Sequence, residues 1–371
     1  MNDILREWVS CTSPVSRRNG AGFNPCQGLW HRPAGTRPRV AFIATHYNVD
    51  FSEHYLGPLL ARRGFGFLGW NTRYRGNEAY FLLDQALVEI GEGVRWLREE
   101  AGAECIVLLG NSGGGSLMAA YQSQARGVTM TAAPGLQLPP ALDDLPPADL
   151  YVSLNAHGGR PEVMTAWMDA SVVDETDPLA VDPELDPFRS DRGPPYAADF
   201  VTAYRAGQVA RNHRISAWAR AELGRLAEHG VADRTFLIHR IWADLRFMDP
   251  GLDPSKRRPN RCYAGDPRRA NFGPMNIGAL CTLRTWLSMW SLEDSWCRGA
   301  PHLERIDVPA LVVQSDADTG VFPSDAQAIH DHLGSEDRAL EMVPGDHYLE
   351  DPHDARDTVA DLIAAWVHAR S

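Results

Sequence analysis

The sequence predicts an α/β fold: a mainly parallel central sheet flanked by helices and interrupted by a mostly helical cap insertion. Three features carry the prediction. Short apolar runs of strand length alternate with longer amphipathic stretches, the pattern of strands joined by crossover helices. Apolar residues within those stretches recur at helical spacing. One long region breaks the alternation and is too extensive to be a structureless loop in a compact domain.

Taken in order, the runs are Arg39 to Thr45 (RVAFIAT), Gly66 to Trp70 (GFLGW), Glu104 to Leu109 (ECIVLL), Asp149 to Leu154 (DLYVSL), Ala310 to Gln314 (ALVVQ) and Ala339 to Val343 (ALEMV). Leu83, Leu87, Ile90, Val94 and Leu97 mark one helix packed on the sheet, and Val359, Leu362, Ile363, Trp366 and Val367 mark another. The interruption runs from 157 to 301, so the core is expected in two parts, 1–156 and 302–371. It begins with proline-rich links such as DETDPLAVDPELDPFRSDRGPP and continues with helical patterns bearing Trp218, Trp242, Trp286 and Trp290.

Composition limits the function classes. A chain of 371 residues that is 44% hydrophobic can bury a large core. Its 36 basic and 48 acidic side chains leave a net charge of -12, which repels nucleic acid and anionic membrane over most of the surface. Neither is expected as a partner, while a homo-oligomer is left open. The first twenty residues lack the apolar run of a signal peptide and no segment approaches a membrane span, so a cytoplasmic location is the default expectation. Cys11, Cys26, Cys105, Cys262, Cys281 and Cys297 are too widely spread for a zinc knuckle or a CxxC pair, and no metal or cofactor is expected.

The chemistry is signalled by VLLGNSGGGSLMAAYQ, Val107 to Gln122. Gly110-Asn111-Ser112-Gly113-Gly114 fits G-x-S-x-G, preceded by a strand and followed by the helix-forming run Ser116 to Ala125. Such a serine sits in a strained backbone conformation, and its neighbours must be small so that strand and helix can approach. It also stands at a helix N-terminus, where free N-H groups favour developing negative charge. A serine hydroxyl needs a histidine to take its proton and a carboxylate to orient that histidine. Both follow: PALVVQSDADTGVFP carries Asp316 and Asp318 after a strand, and LEMVPGDHYLEDP carries His347, with His353 close behind.

On these residues the sequence resembles the α/β-hydrolase superfamily, in its serine-nucleophile, esterase- and lipase-like branch. The resemblance covers most of the chain outside the insertion. GLWHRPAGTRPRVAFIATH at the first core strands, GNSGG at the turn, VPALVVQSDAD for the acid and VPGDH for the base stand in the family's order on the expected elements. The match implies Ser112 as nucleophile, His347 as general base and then acid, and Asp318 as the orienting carboxylate. The family's Gly-x-x-Asp register, with Ser315 in the glycine place, selects Asp318 over Asp316. Gly113 is expected to give one oxyanion N-H. The other should come from Thr45-His46-Tyr47-Asn48, where relatives read His-Gly; either Tyr47 or Asn48 fills that place, and His46 is expected to pack the loop.

The resemblance further implies that the insertion is a lid over the carboxyl ends of the strands. A serine at the turn argues for acyl chemistry, so the expected activity is cleavage of a small, apolar or aromatic carboxylic ester through an acyl-enzyme. Acyl transfer, hydrolysis of amides, thioesters or lactones, and non-catalytic small-molecule binding are the alternatives. Within the insertion, Phe188, Phe200, Phe236, Phe247 and the tryptophans are expected mainly in its core. His239 to Arg284 holds nine Lys or Arg and four Asp or Glu, expected as a solvated face or internal ion pairs rather than an anion site.

Overall fold

The computed structural model describes residues 3–15, 23–274 and 277–371. Ten strands are present among them: β1 (Ile4–Cys11), β2 (Cys26–Pro33), β3 (Val40–Ala44), β4 (Gly66–Asn71), β5 (Cys105–Asn111), β6 (Leu150–Leu154), β7 (Thr235–Leu237), β8 (Leu280–Thr282), β9 (Ala310–Ser315) and β10 (Arg338–Val343). Eight form one sheet in the order β1-β2-β4-β3-β5-β6-β9-β10. From β4 to β10 every pairing is parallel, and only β1 and β2 run antiparallel to their neighbours. All six expected runs lie in this parallel part. Those of β3 to β6 and β9 read as nearly unbroken apolar stretches because helices cover both faces, while β10, at the edge of the sheet, is largely exposed.

Helix α1 (Leu56–Arg62) and the C-terminal helix Ala355–His368 pack on one face, where Phe42, Val107, Leu109, Val152, Leu311, Val359 and Ile363 make one core. Helices α2 (Leu83–Glu99) and α3 (Gly114–Ala125) cover the other, around Ile43, Leu108, Leu117, Met118 and Tyr151. The alternation of the sheet residues between the two cores is the period-two geometry of a strand.

The segment between β6 and β9 adds to the second core instead of forming its own. Met164 and Trp167 of α4 (Arg160–Trp167), together with Trp286 and Trp290, belong to the same continuous apolar cluster as Ile43 and Leu108. Its longest element is α5 (Ala198–Glu228), of 31 residues. The chain between 168 and 197 and between 249 and 266 runs mainly as turns and bends. These irregular stretches are tied down by buried polar groups. The fully buried Arg211 of α5 pairs with Glu175 at 2.6 Å and donates to the backbone carbonyls of Asp169 and His239. Irregular backbone inside a protein requires partners of this kind.

The basic stretch His239 to Arg284 is largely absorbed by acids outside it. Arg240 pairs with Asp169, Arg246 with Asp325, Lys256 with Asp316 and Arg284 with Asp233. Trp242, Trp286, Trp290 and Phe247 are buried, whereas Trp218 lies partly exposed against Phe236. No helix among the described residues is long and apolar enough to cross a membrane.

Candidate active site

The carboxyl ends of β5, β9 and β10 bring the candidate residues together, at the edge where open α/β sheets carry their ligands. Ser112 follows β5 with φ of +56°, so the strained left-handed backbone falls on the serine and not on its glycines. Those glycines answer close approach. A Cβ on Gly110 would lie 2.6 Å from the Gly115 Cα, one on Gly114 2.3 Å from the Thr45 carbonyl oxygen, and one on Gly115 2.5 Å from the Ala156 Cβ. The turn is pinned by Ser112 N-H donating to the Leu154 carbonyl and by His157 N-H donating to the Ser112 carbonyl, each at 3.1 Å.

His347 sits in the loop after β10 and Asp318 in the loop after β9. The His347 Nε2 is 3.2 Å from the Ser112 Oγ, and its Nδ1-H donates to Asp318 Oδ2 at 2.6 Å. The other Asp318 oxygen accepts the backbone N-H groups of Gly320 and Val321 at 2.8 and 3.0 Å, so the carboxylate is buried but fully partnered. Asp316 points elsewhere, to Lys256 at 2.7 Å, and His353 is exposed. The loops are braced from β6: Asn155, at φ of +42°, accepts the Ser315 N-H at 2.7 Å and donates to the His347 carbonyl at 3.2 Å.

Across from this trio, the Gly113 N-H at the start of α3 has no hydrogen-bond partner among the described residues, and neither has the Tyr47 N-H. The Asn48 N-H is already committed to His46 Nδ1 at 3.3 Å. Between the two residues left open by the sequence, only Tyr47 therefore has a free backbone donor. Its hydroxyl is not in the site, since it meets the Ser116 Oγ at 3.1 Å behind the loop. The Asn48 side chain turns back on His46 Nδ1, 3.1 Å away.

Four neighbours were not legible as site residues. Tyr263, from the irregular part of the insertion, donates its hydroxyl to Asp318 Oδ1 at 3.1 Å and lies 2.8 Å from His347 Nδ1. Burial and the nearby Asp318 push this hydroxyl well above its ordinary range, so it keeps the proton it donates. Gly320 makes room for it, as a Cβ there would come within 2.3 Å of the tyrosine ring. His46 packs the loop as expected, yet its Nε2 also faces Gly113. Arg160, the first residue of α4, is buried and reaches the same place; a Cβ on Gly113 would lie 2.7 Å from His46 Nε2 and 2.9 Å from Arg160 Nη1. Burial, with Arg160 adding to it, holds the His46 imidazole well below the usual histidine range. His157, buried beside His347, is lowered too, by burial first and then by His347 and Arg160.

No group of three or more His, Cys, Asp or Glu side chains among the described residues is arranged to hold a metal ion. By sequence, no protein-family model and no curated protein matches the chain. By structure, many solved proteins do. The alpha/beta hydrolase GrgF from Penicillium sp. sh18 superposes with a TM-score of 0.51 at 11% identity, over 98% of this chain and 97% of the other. Est1E from Butyrivibrio proteoclasticus gives 0.50 at 12%, over 98% of each.

Proposed function

From the premise that the chain has the fold of the α/β-hydrolase superfamily, we propose that it is a serine hydrolase acting on carboxylic esters through a Ser112-His347-Asp318 triad. The observation that carries the proposal is the unbroken relay from Ser112 Oγ to His347 Nε2, and from His347 Nδ1 to Asp318 Oδ2. Each distance suits a proton held for transfer or orientation.

In the first half-reaction the Ser112 Oγ bonds to the ester carbonyl carbon while its proton passes to His347 Nε2. The carbonyl oxygen takes the electron pair as an oxyanion, facing the Gly113 and Tyr47 N-H groups, and the α3 N-terminus adds to the favourable field. Collapse expels the alcohol, which takes the proton from His347 and leaves an acyl-serine. Water then enters by the same route: His347 removes its proton, its oxygen bonds to the acyl carbon, and Ser112 leaves reprotonated. Asp318 keeps the proton on Nδ1 throughout and stabilises the imidazolium. Segment 157–301 serves in this reading as the cap, supported by the contribution of His157, Arg160 and Tyr263 to the surroundings of the triad.

A fluorophosphonate probe and a series of p-nitrophenyl esters test this. The wild type should label at Ser112 and turn over esters. Ser112→Ala should abolish labelling and reduce turnover by at least about a thousandfold without loss of folding. A wild type that neither labels nor turns over any ester would refute the reading.

A further inference from the structure

We infer that the active site takes an anionic acyl substrate, one bearing a carboxylate a few bonds from the scissile carbonyl, and that Arg160 binds that carboxylate with His46 beside it. The inference rests on the hydrolase reading for the position of the carbonyl, and goes beyond it in assigning the substrate's charge.

Arg160 is nearly inaccessible to solvent, at 3% exposure. A guanidinium has five N-H donors and costs several kcal/mol to bury unless they are used. Here only Nη2 has a partner, the Glu78 Oε2 at 3.2 Å. Nε is buried with none, and Nη1 has none among the described residues. The side chain is nonetheless held firmly. It lies over the Tyr47 ring at 4.6 Å and the Trp290 ring at 4.9 Å, and Glu78 is itself anchored by the Gly278 N-H at 2.7 Å. A buried cation clamped in one orientation with donors left over is built for a group that arrives from outside.

The direction of the free end identifies where that group would sit. Nη1 stands beside the Gly113 Cα, next to the nucleophile. His46 approaches the same point from the loop after β3. Two backbone N-H groups of fixed direction, of Asn48 and Val49, aim at its Nδ1 at 3.3 and 3.2 Å. With the Asn48 side-chain amide, 3.1 Å from the same atom, turned over to present its NH2, Nδ1 is an acceptor and the ring proton lies on Nε2. Nε2 is thus a second donor converging on one small volume, and no described residue accepts from it. Carboxylate geometry suits a pair of converging donors, one of them charged. Because both donors adjoin the residue that faces the oxyanion, the spacer between carboxylate and scissile carbonyl must be short.

Binding to the catalytically dead Ser112→Ala protein tests the subsite separately from turnover. The probes are the monomethyl esters of malonate, succinate and glutarate, each compared by calorimetry with its uncharged dimethyl ester. At least one monoanion should bind tenfold or more tighter than its diester. Replacing the buried pair together, Arg160→Met with Glu78→Gln, avoids stranding a buried carboxylate and should erase the difference. Equal affinities throughout, no measurable binding of any monoanion, or a preference that survives the double replacement would each overturn the inference. In the wild type the same replacement should depress hydrolysis of the half-esters selectively. An equal loss on neutral esters would instead mark Arg160 as an oxyanion donor and overturn carboxylate recognition. Labelling of Ser112 reports independently on the hydrolase reading.

Discussion

Tyr263 is the residue whose removal would say most about the triad, because it touches both Asp318 and His347 yet cannot accept the serine proton itself. Tyr263→Phe deletes one hydrogen bond to a carboxylate and keeps the ring. We expect kcat to fall about tenfold, the equivalent of about 1.4 kcal/mol, with KM and melting temperature nearly unchanged. A variant with unaltered kcat would make the hydroxyl a bystander. Gly320→Ala should act through the same side chain, since its new methyl would collide with that ring. Its cost should shrink in a Tyr263→Ala background, and a double-mutant cycle showing simple additivity would refute the coupling. Ser112, His347 and Asp318 were legible because each follows an apolar strand with its own local spelling. Tyr263, on irregular chain, and Arg160, at the first position of α4, were not, since both reach the site only through tertiary folding. His46 was read as loop packing, and only its three-dimensional position next to Gly113 gives it a second aspect.

Among the elements, the doubly covered strands β3 to β6 and β9 announced themselves by continuous burial and the largely exposed edge strand β10 by its short apolar run, whereas β1 and β2 did not. β1 has only one neighbour and is mostly exposed, with Leu5 and Trp8 open to solvent, so burial imprints little pattern on it. The antiparallel pair of β7 and β8 has three residues per strand, too few to show alternation. α5 reads as a helix but hides its purpose, which is to hold irregular chain by polar contacts from Arg211 and Gln208. Arg211→Ala would leave several carbonyls without their donor and Glu175 with only Arg214, 3.6 Å away. The expected loss is about 3 to 5 kcal/mol, measured as a lower urea midpoint. A loss under about 1 kcal/mol would show that α5 is held by its apolar contacts alone.

For the molecule as a whole, buried neutral histidines set the response to acid. Burial pushes His54 and His302 down to about 4, while an unfolded chain restores them to about 6.5. Above pH 6.5 both states are neutral at these groups and no stability depends on them. As pH falls from about 6.5 to about 4 the unfolded chain takes up protons that the folded one refuses, so stability is lost, by up to about 3 kcal/mol for each group. His46 and His157 add in the same direction. Urea midpoints should therefore decline steadily from pH 7 to pH 4. A midpoint flat between pH 6.5 and 4.5 would mean that these rings open to solvent in the native state.

The apolar cluster that runs without a break from the sheet into segment 157–301 has a practical consequence for redesign. Trp286 and Trp290 fill space against the same core as the strands, while Arg160 and Tyr263 reach back to the nucleophile and its partners. Grafting a foreign segment in its place would thus remove part of the interior and part of the site at once. Altered substrate range is better sought by single replacements on this scaffold than by exchange of modules.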